Sequence, residues 1–268
     1  MARSLSRLWL WRLPAAIAVL AALLFAAGFF FALRGSLGEP VGEPPAAPAA
    51  SKESRVKTPG RRFLLVLGDS LARGTGDETG KGYAAYVLES VKKAGAADMA
   101  NLAVDGAESG DVARVLESEN VGRLAAAADW ILLSAGGNDL SHAVPREAGA
   151  TASPLDGITA ARSRYASNLR HILSRLREVN PRAPIYVLGL YDPFTEEASM
   201  TRIGSSIILS WNSLIEETAL AFPQVLVVPT FDLFYGRPDR LGADHFHPNA
   251  KGHQAIAQRI IQLLPPGA

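Results

Sequence analysis

Five short apolar runs lie along the chain after residue 60, and longer amphipathic stretches separate them. Most of the runs are continuously apolar, which is typical of strands that are covered on both faces of a sheet. They occupy residues 63–67, 97–104, 129–135, 184–190 and 225–229. The stretches between them repeat apolar residues at helical spacing, which predicts helices over 84–93, 158–179, 205–221 and 249–264. This alternation predicts a parallel sheet with helices on both faces.

A different apolar segment occupies residues 13–33, which carry no charged side chain and show no polar helical face. A helix of that length spans about 30 Å, the thickness of the hydrocarbon core of a bilayer. Arg3, Arg7 and Arg12 precede it, so the positive-inside rule predicts a cytoplasmic N-terminus over residues 1–12. The apolar stretch is longer than that of an ordinary signal peptide, so we expect an uncleaved transmembrane signal anchor. Cleavage would instead make the rest of the chain a secreted protein.

The remaining 34–268 segment divides by composition into a linker and a folded domain. Residues 34–60 are rich in proline and alanine without apolar periodicity, which indicates a linker. Residues 61–268 are enough for one domain with a substantial core. We therefore expect a single-pass protein of the cell membrane whose folded domain is extracytoplasmic. The net charge of +1 does not indicate a nucleic-acid partner, and the absence of cysteine excludes disulfides and a thiol nucleophile.

Polar or flexible residues follow three of the predicted strands, at the edge where a parallel sheet binds its ligands. Ser70 follows the first run within Gly-Asp-Ser, Gly106 follows the second, and Asn138 follows the third within Gly-Gly-Asn-Asp. Each has an ordinary structural interpretation, because serine caps helices and glycine and asparagine are common in turns. Each also offers chemistry: a hydroxyl nucleophile, an accessible backbone N–H and a side-chain amide.

Asp244 and His247 lie three residues apart just before the last predicted helix. In a tight turn the carboxylate can reach Nδ1 of the imidazole and leave Nε2 free, as the base and its orienting partner do in a serine triad. The alternatives are a helix-start motif, or a metal site that also uses His245 and His253. Metal sites usually draw ligands from more than one segment, and no companion motif occurs elsewhere, so we predict no metal.

Together and in this order, the four blocks resemble those of the SGNH hydrolases, also called the GDSL esterase and lipase superfamily. The extended first block, GDSLARGTGDETGKGY, is similar to a bacterial, often membrane-anchored lipase/acylhydrolase branch. The resemblance spans residues 62–264 and departs from the family at Ala103, where the second block often has a glycine. It implies a three-layer α/β/α sandwich around a flavodoxin-like, parallel five-stranded sheet.

The same resemblance implies a role for each site residue. Ser70 would be the nucleophile, His247 its general base and Asp244 the carboxylate that orients the base. The backbone N–H groups of Ser70 and Gly106 and the side-chain amide of Asn138 would form the oxyanion hole. Water would release the acyl-enzyme, so the reaction would need no cofactor.

The rest of the first block is expected to be structural or peripheral. Asp69 is expected to shape the turn rather than to take part in the chemistry. Arg73, Lys81 and Tyr83 are expected at the rim of the crevice.

Four functions are compared for these residues. The first is a serine esterase or lipase that acts on acyl esters, either lipids or acylated cell-envelope molecules. The second is an O-acetylesterase on cell-envelope polysaccharide, and the third is a non-catalytic envelope-binding module, which would not need the full set of catalytic residues. The fourth is a metal phosphoesterase, which insensitivity to chelators would exclude. Residues 141–157 and 191–204 follow the third and fourth strands and are expected to be substrate loops. Phe194, Met200 and Phe246 are candidates for an acyl pocket or for the local core.

Overall fold

The computed structural model of the chain describes residues 60–143, 154–194 and 198–267. The chain divides into two units, Met1–Ser54 and Arg55–Ala268, and the described residues belong to the second. The predicted cytoplasmic segment, the signal anchor over 13–33 and the linker up to residue 59 lie outside the described residues. In the ranges that are described, no helix combines the length and the apolar character needed to cross a bilayer.

Five parallel strands form one sheet in the described part of the chain, in the order β2-β1-β3-β4-β5. The strands are β1 (Arg62–Gly68), β2 (Ala97–Asn101), β3 (Trp130–Ser134), β4 (Ile185–Leu188) and β5 (Val225–Val228). Each coincides with one of the predicted apolar runs to within a few residues. This strand order places the switch point of the sheet between β1 and β3, where flavodoxin-like sheets bind their ligands.

Helices cover both faces of the sheet, so the predicted three-layer α/β/α arrangement is confirmed. They are α1 (Ser70–Arg73), α2 (Gly82–Ala94), α3 (Ser109–Leu116), α4 (Glu119–Ala127), α5 (Gly137–Ala143), α6 (Pro154–Val179), α7 (Ala198–Ala219), α8 (Phe231–Phe234) and α9 (Ala250–Leu263). The apolar pattern of the sequence predicts none of the shorter helices α1, α3, α4, α5 and α8. Helix α7 begins at Ala198, so part of the substrate loop predicted over 191–204 is helical. Extending an existing helix costs little, which explains the earlier start.

Two apolar layers hold the sheet between its helices, and the alternation of side chains along β1 contributes to both. Phe63, Leu65 and Leu67 face the layer formed with α3, α4, α6 and α7. Leu64 and Val66 face the layer formed with α2 and α9. All five side chains are buried, so β1 is covered on both faces, as its continuous apolar run predicts.

The pairing of β1 with β3 brings the ends of these two strands together. Gly68 lies opposite Ser134 in this register. A Cβ atom on Gly68 would lie 2.1 Å from the carbonyl oxygen of Ser134, so only glycine fits at this position. The residues that follow the two strands, including Ser70 and Asn138, therefore emerge at the same part of the carboxyl edge.

Candidate active site

Ser70 is the first residue of the short helix α1, directly beyond β1. Asp69 caps this helix, because its carboxylate accepts the Leu71 N–H at 3.1 Å and the Ser134 hydroxyl at 2.8 Å. Burial raises the pKa of Asp69 to about 6, although these hydrogen bonds oppose the shift. Asp69 therefore shapes the turn that holds Ser70 at the edge of the sheet, as the sequence predicts.

A continuous chain of hydrogen bonds connects Ser70, His247 and Asp244. Ser70 Oγ lies 2.9 Å from His247 Nε2, and His247 Nδ1 lies 2.6 Å from Asp244 Oδ2. Ser70 and His247 are 177 residues apart in the chain, so it is the fold that brings them together. The three residues meet in the arrangement that allows a serine hydroxyl to donate its proton to an imidazole.

The turn between Asp244 and His247 is fixed by the same carboxylate. Asp244 Oδ1 accepts the backbone N–H groups of Phe246 at 3.0 Å and of His247 at 2.9 Å, while His245 takes a left-handed conformation with φ of 54°. Burial raises the pKa of Asp244, but the hydrogen bonds from His247 and from the turn outweigh it and leave the pKa below its ordinary value. An ionised Asp244 accepts a hydrogen bond from the Nδ1–H of His247, which leaves Nε2 free to accept a hydrogen bond from the Ser70 hydroxyl.

Gly106 follows β2 and Asn138 follows β3, and both are predicted oxyanion donors. A hydrogen bond connects the two segments that carry them. Asn138 is in the first turn of α5, and its side-chain amide donates to the carbonyl of Ala107 at 2.9 Å. Because an amide carries two N–H groups, one remains available to another acceptor. Gly106 has φ of 76°, and a Cβ there would meet open space, so its backbone is accessible.

Asp139, which the sequence analysis did not single out, joins the two oxyanion segments. Its carboxylate accepts the backbone N–H of Ser109 at 2.9 Å and also the Ser109 hydroxyl. Asn168 Nδ2 donates to the same hydroxyl oxygen at 3.0 Å. Burial raises the pKa of Asp139 in spite of the hydrogen bonds from Ser109. The signal that the sequence offered was the position of this carboxylate next to Asn138.

His253 lies on α9 and was considered only as a metal ligand. Both of its ring nitrogens bind backbone groups: Nδ1 accepts the Tyr83 N–H, and Nε2 donates to the Thr75 carbonyl, each at 3.1 Å. His247 also uses both of its nitrogens, so neither ring has a free nitrogen for a metal ion. Across the described ranges, no group of three or more metal-ligating side chains occurs.

The residues expected at the rim differ in their exposure. Arg73 is exposed and pairs with Asp105 at 3.3 Å, and Lys81 is exposed and pairs with Glu89 at 2.9 Å. Tyr83 is completely buried, so the prediction for this residue is wrong. The reason is that Tyr83 begins the apolar face of α2, which packs against the sheet.

Of the acyl-pocket candidates, Phe194 and Phe246 are 43% and 42% exposed, so neither belongs to the core. The Phe246 ring meets the His247 ring edge-on, with centroids 5.1 Å apart, and the Phe246 carbonyl accepts the Tyr191 hydroxyl at 2.8 Å. Phe246 therefore borders the imidazole of His247. The side chain of Met200, and residues 144–153 of the other predicted substrate loop, lie outside the described residues.

An Asn138→Ala substitution is expected to lower kcat for ester hydrolysis by about 10²–10³, because it removes a donor to the developing oxyanion. The matched control is Asn168→Ala. It removes the hydrogen bond to the Ser109 hydroxyl that Asp139 also binds, but it removes no predicted oxyanion donor. We expect the control to keep kcat close to that of the wild type. The measurement is kcat and KM with p-nitrophenyl acetate, and equal losses in both variants would show that Asn138 acts structurally.

Residues 66–255 match the sequence profile described as the GDSL-like lipase/acylhydrolase family. The chain belongs to this family. The matched range contains Ser70, Gly106, Asn138, Asp244 and His247, so it includes every residue predicted for the site. The GDSL-like chain accordingly has the SGNH fold and hydrolyses ester bonds. The family resemblance of its four sequence blocks is confirmed.

Among similar proteins, the uncharacterized protein YpmR of Bacillus subtilis (strain 168) is 30% identical over 220 residues, which cover 80% of this chain and 85% of that protein. The lipase Lip_vut3 from a goat rumen metagenome has a TM-score of 0.64 and 22% identity, over 74% of this chain and 95% of that one. Axe2, an acetylxylan esterase from Geobacillus stearothermophilus, has a TM-score of 0.54 and 20% identity, over 77% of this chain and 94% of that one. These solved structures share the GDSL-like fold.

Proposed function

We propose that this GDSL-like hydrolase is a serine esterase of the lipase type that acts on acyl esters from an anchored position at the cell membrane. Ser70 is its nucleophile, His247 its general base and Asp244 the carboxylate that orients the base. The observation that carries the proposal is the unbroken hydrogen-bond chain from Ser70 Oγ through His247 to Asp244. A binding protein would have no need for a hydroxyl, an imidazole and a carboxylate aligned in this way.

In the acylation step, Ser70 Oγ attacks the carbonyl carbon of the ester while His247 Nε2 takes the hydroxyl proton. Asp244 stabilises the imidazolium that forms. His247 then gives the proton to the alcohol oxygen as its bond to the carbonyl carbon breaks. Water attacks the acyl-enzyme with His247 again acting as base, which releases the carboxylic acid and restores the Ser70 hydroxyl. No step requires a metal or an organic cofactor.

The negative charge on the carbonyl oxygen is held by the backbone N–H groups of Ser70 and Gly106 and by the side-chain amide of Asn138. The bond from Asn138 to the Ala107 carbonyl supports this assignment, because it orients the amide before substrate arrives. Donors that are fixed in advance stabilise the transition state without a cost of reorganisation. Asp139 keeps the segment that carries Gly106 attached to the one that carries Asn138.

The location of the enzyme rests on the sequence of its N-terminal part. The charge-free segment 13–33 and the arginines before it support a retained signal anchor, with the linker over 34–60 carrying an extracytoplasmic domain. The substrate class that fits this location is an acyl ester of a lipid or of an acylated cell-envelope molecule. Nucleic acid is not a partner in this proposal.

An O-acetylesterase that acts on cell-envelope polysaccharide is the second candidate, and it keeps the same catalytic residues. The length of the linker over 34–60 supports it, since a connecting segment of this length lets the domain reach beyond the membrane surface. The acetylxylan esterase activity of a protein that shares the fold is compatible with it. The two candidates differ in acyl length, because an acetylesterase prefers acetate and a lipase-type enzyme prefers longer chains.

The test uses the full chain in membranes from an expressing cell. Hydrolysis of p-nitrophenyl acetate, butyrate and octanoate is measured in the membrane pellet and in the supernatant, with and without EDTA. We expect EDTA-insensitive hydrolysis that sediments with the membranes and is higher for octanoate than for acetate. Highest activity with acetate would favour the acetylesterase, activity in the supernatant would contradict the anchor, and loss of hydrolysis in EDTA would contradict a serine mechanism.

A further inference from the structure

The segment between α1 and α2, residues 74–81, is a closed loop that is held by its own hydrogen bonds. Asp77 is buried, and its carboxylate accepts the Thr79 N–H at 2.8 Å, the Thr79 hydroxyl at 2.7 Å and the Gly82 N–H at 2.9 Å. Burial raises the pKa of Asp77, but these hydrogen bonds outweigh it, so the pKa lies below its ordinary value. We refer to residues 74–81 as the bracing loop, because its outer side contacts the segment that carries the catalytic base.

The first contact of the bracing loop is with the base itself. A Cβ atom on Gly76 would lie 2.7 Å from His247 Cβ and 2.5 Å from the Pro248 carbonyl oxygen, so the loop backbone packs directly against His247. The second contact is with the helix that follows. Glu78 accepts the backbone N–H of Ala250 at 2.9 Å, at the N-terminus of α9 and three residues after His247.

The third contact comes from α9 back to the loop. His253 is fully buried, and its ring links the start of the bracing loop to the first turn of α2 through the Thr75 carbonyl and the Tyr83 N–H. Only a neutral ring with its proton on Nε2 can make both bonds, because Nδ1 must act as an acceptor. His247 needs the opposite tautomer, with its proton on Nδ1. Two histidines six residues apart thus have fixed and different proton positions.

The same loop also reaches the oxyanion side of the site. The Thr75 hydroxyl donates to Asp105 Oδ1 at 2.7 Å, and Asp105 directly precedes Gly106. Arg73, just before the loop, pairs with the other oxygen of Asp105 at 3.3 Å. The bracing loop is therefore in contact with the base, with the helix behind the base and with the neighbour of an oxyanion donor.

We propose that the bracing loop is a positioning device for the catalytic base, in which Glu78 and His253 hold His247 at the distance from Ser70 that proton transfer needs. The proposal rests on the proposed function, since it concerns the base of that reaction. Neither residue touches substrate. Small displacements of a catalytic group reduce the rate strongly, so residues that fix its position affect kcat more than KM.

The test compares Glu78→Ala with Glu78→Gln in the full chain. We expect Glu78→Ala to lower kcat for p-nitrophenyl acetate about tenfold with little change in KM, because the Ala250 N–H loses its acceptor and His247 shifts. Glu78→Gln should recover most of kcat, since its amide oxygen can accept the same N–H. Glu119→Ala is the matched control, because Glu119 is an exposed glutamate whose ion pair with Arg123 lies on α4.

The outcomes separate the two proposals. All rates are expressed per active site, titrated with a fluorophosphonate, so that unfolded protein does not count. An inactive wild type would contradict the proposed function. An active wild type with a Glu78→Ala variant of equal kcat, or a Glu78→Gln variant as slow as Glu78→Ala, would contradict positioning by Glu78.

A second variant, His253→Asn, tests the other half of the device through pH. Burial lowers the pKa of His253 below its ordinary value of 6.5, against the effect of the Thr75 carbonyl. Of the charged groups nearby, Asp77 and Glu78 favour the protonated ring, and His247 disfavours it. The stability that neutral His253 contributes is therefore complete above pH 6.5 and is lost as the pH falls towards its pKa in the folded protein.

The expected result is that the melting temperature of the wild type falls more between pH 7 and pH 5 than that of His253→Asn, which cannot titrate at this position. At pH 7 the variant should show a lower kcat and a KM close to that of the wild type. Parallel melting curves over this pH range, or an unchanged kcat, would overturn the role of His253.

Discussion

A Ser70→Ala variant is expected to lose ester hydrolysis by a factor on the order of 10⁶ in kcat, because it removes the proposed nucleophile, whose Oγ lies 2.9 Å from His247 Nε2. The substitution removes one oxygen atom and leaves the Asp69 cap and α1 in place, so the fold should persist. A fluorophosphonate should label the wild type on Ser70 and should not label the variant. Mass spectrometry of the labelled peptide, together with kcat for p-nitrophenyl butyrate, provides the measurement.

Ser163→Ala is the control for this experiment, since Ser163 is an exposed serine on α6 whose hydroxyl donates to the Thr159 carbonyl. It should keep the wild-type kcat and the label on Ser70. Labelling that persists in Ser70→Ala, or a rate within tenfold of the wild type, would mean that another residue is the nucleophile and would remove the basis of the proposed mechanism.

The second large effect is expected for Asp244→Asn, which should lower kcat by about 10⁴. The side-chain oxygen of asparagine can still accept the backbone N–H groups of Phe246 and His247, so the turn is preserved. Its amide would donate to His247 Nδ1, which forces the imidazole proton onto Nε2. That nitrogen then faces Ser70 Oγ as a donor and cannot take the hydroxyl proton. Steady-state kinetics with p-nitrophenyl acetate measure the loss.

Asp232→Asn is the matched control for the loss of a carboxylate. Asp232 is an exposed aspartate on α8 that pairs with Arg259 at 2.8 Å, and its replacement should leave kcat unchanged. Circular dichroism of both variants should match the wild type. If Asp244→Asn retained more than a tenth of the wild-type kcat, Asp244 would not be the group that sets the tautomer of His247.

The sheet and the positions of the site residues were predictable because both depend on local patterns. Continuous apolar runs mark strands that are buried on both faces, and β1 shows this clearly. Ser70 and Asn138 follow such runs directly, so the parallel arrangement alone places them at one edge. Asp244 and His247 are near in sequence, and a single turn is enough to join them.

The predictions failed where the outcome depends on contacts between distant segments. Tyr83 was expected at the rim, but the apolar face of α2 turns it into the core. His253 has a clear role only when its partners are known, and Thr75 and Tyr83 are 178 and 170 residues away in the chain. Asp139 likewise acquires its meaning from Ser109, which lies on another helix. Local apolar patterns predict strands, but they carry no information about hydrogen bonds between segments that are distant in the sequence.

The order of the catalytic groups along the chain has a consequence for biosynthesis. The proposed nucleophile and the three proposed oxyanion donors follow the first three strands, whereas the proposed base and its carboxylate precede α9, the last helix described. A growing chain therefore contains the hydroxyl, the glycine and the amide well before it contains a base. If the proposed mechanism holds, an unfinished copy that lacks His247 hydrolyses no ester, and esterase activity in a pulse-labelled cell then reports completed molecules.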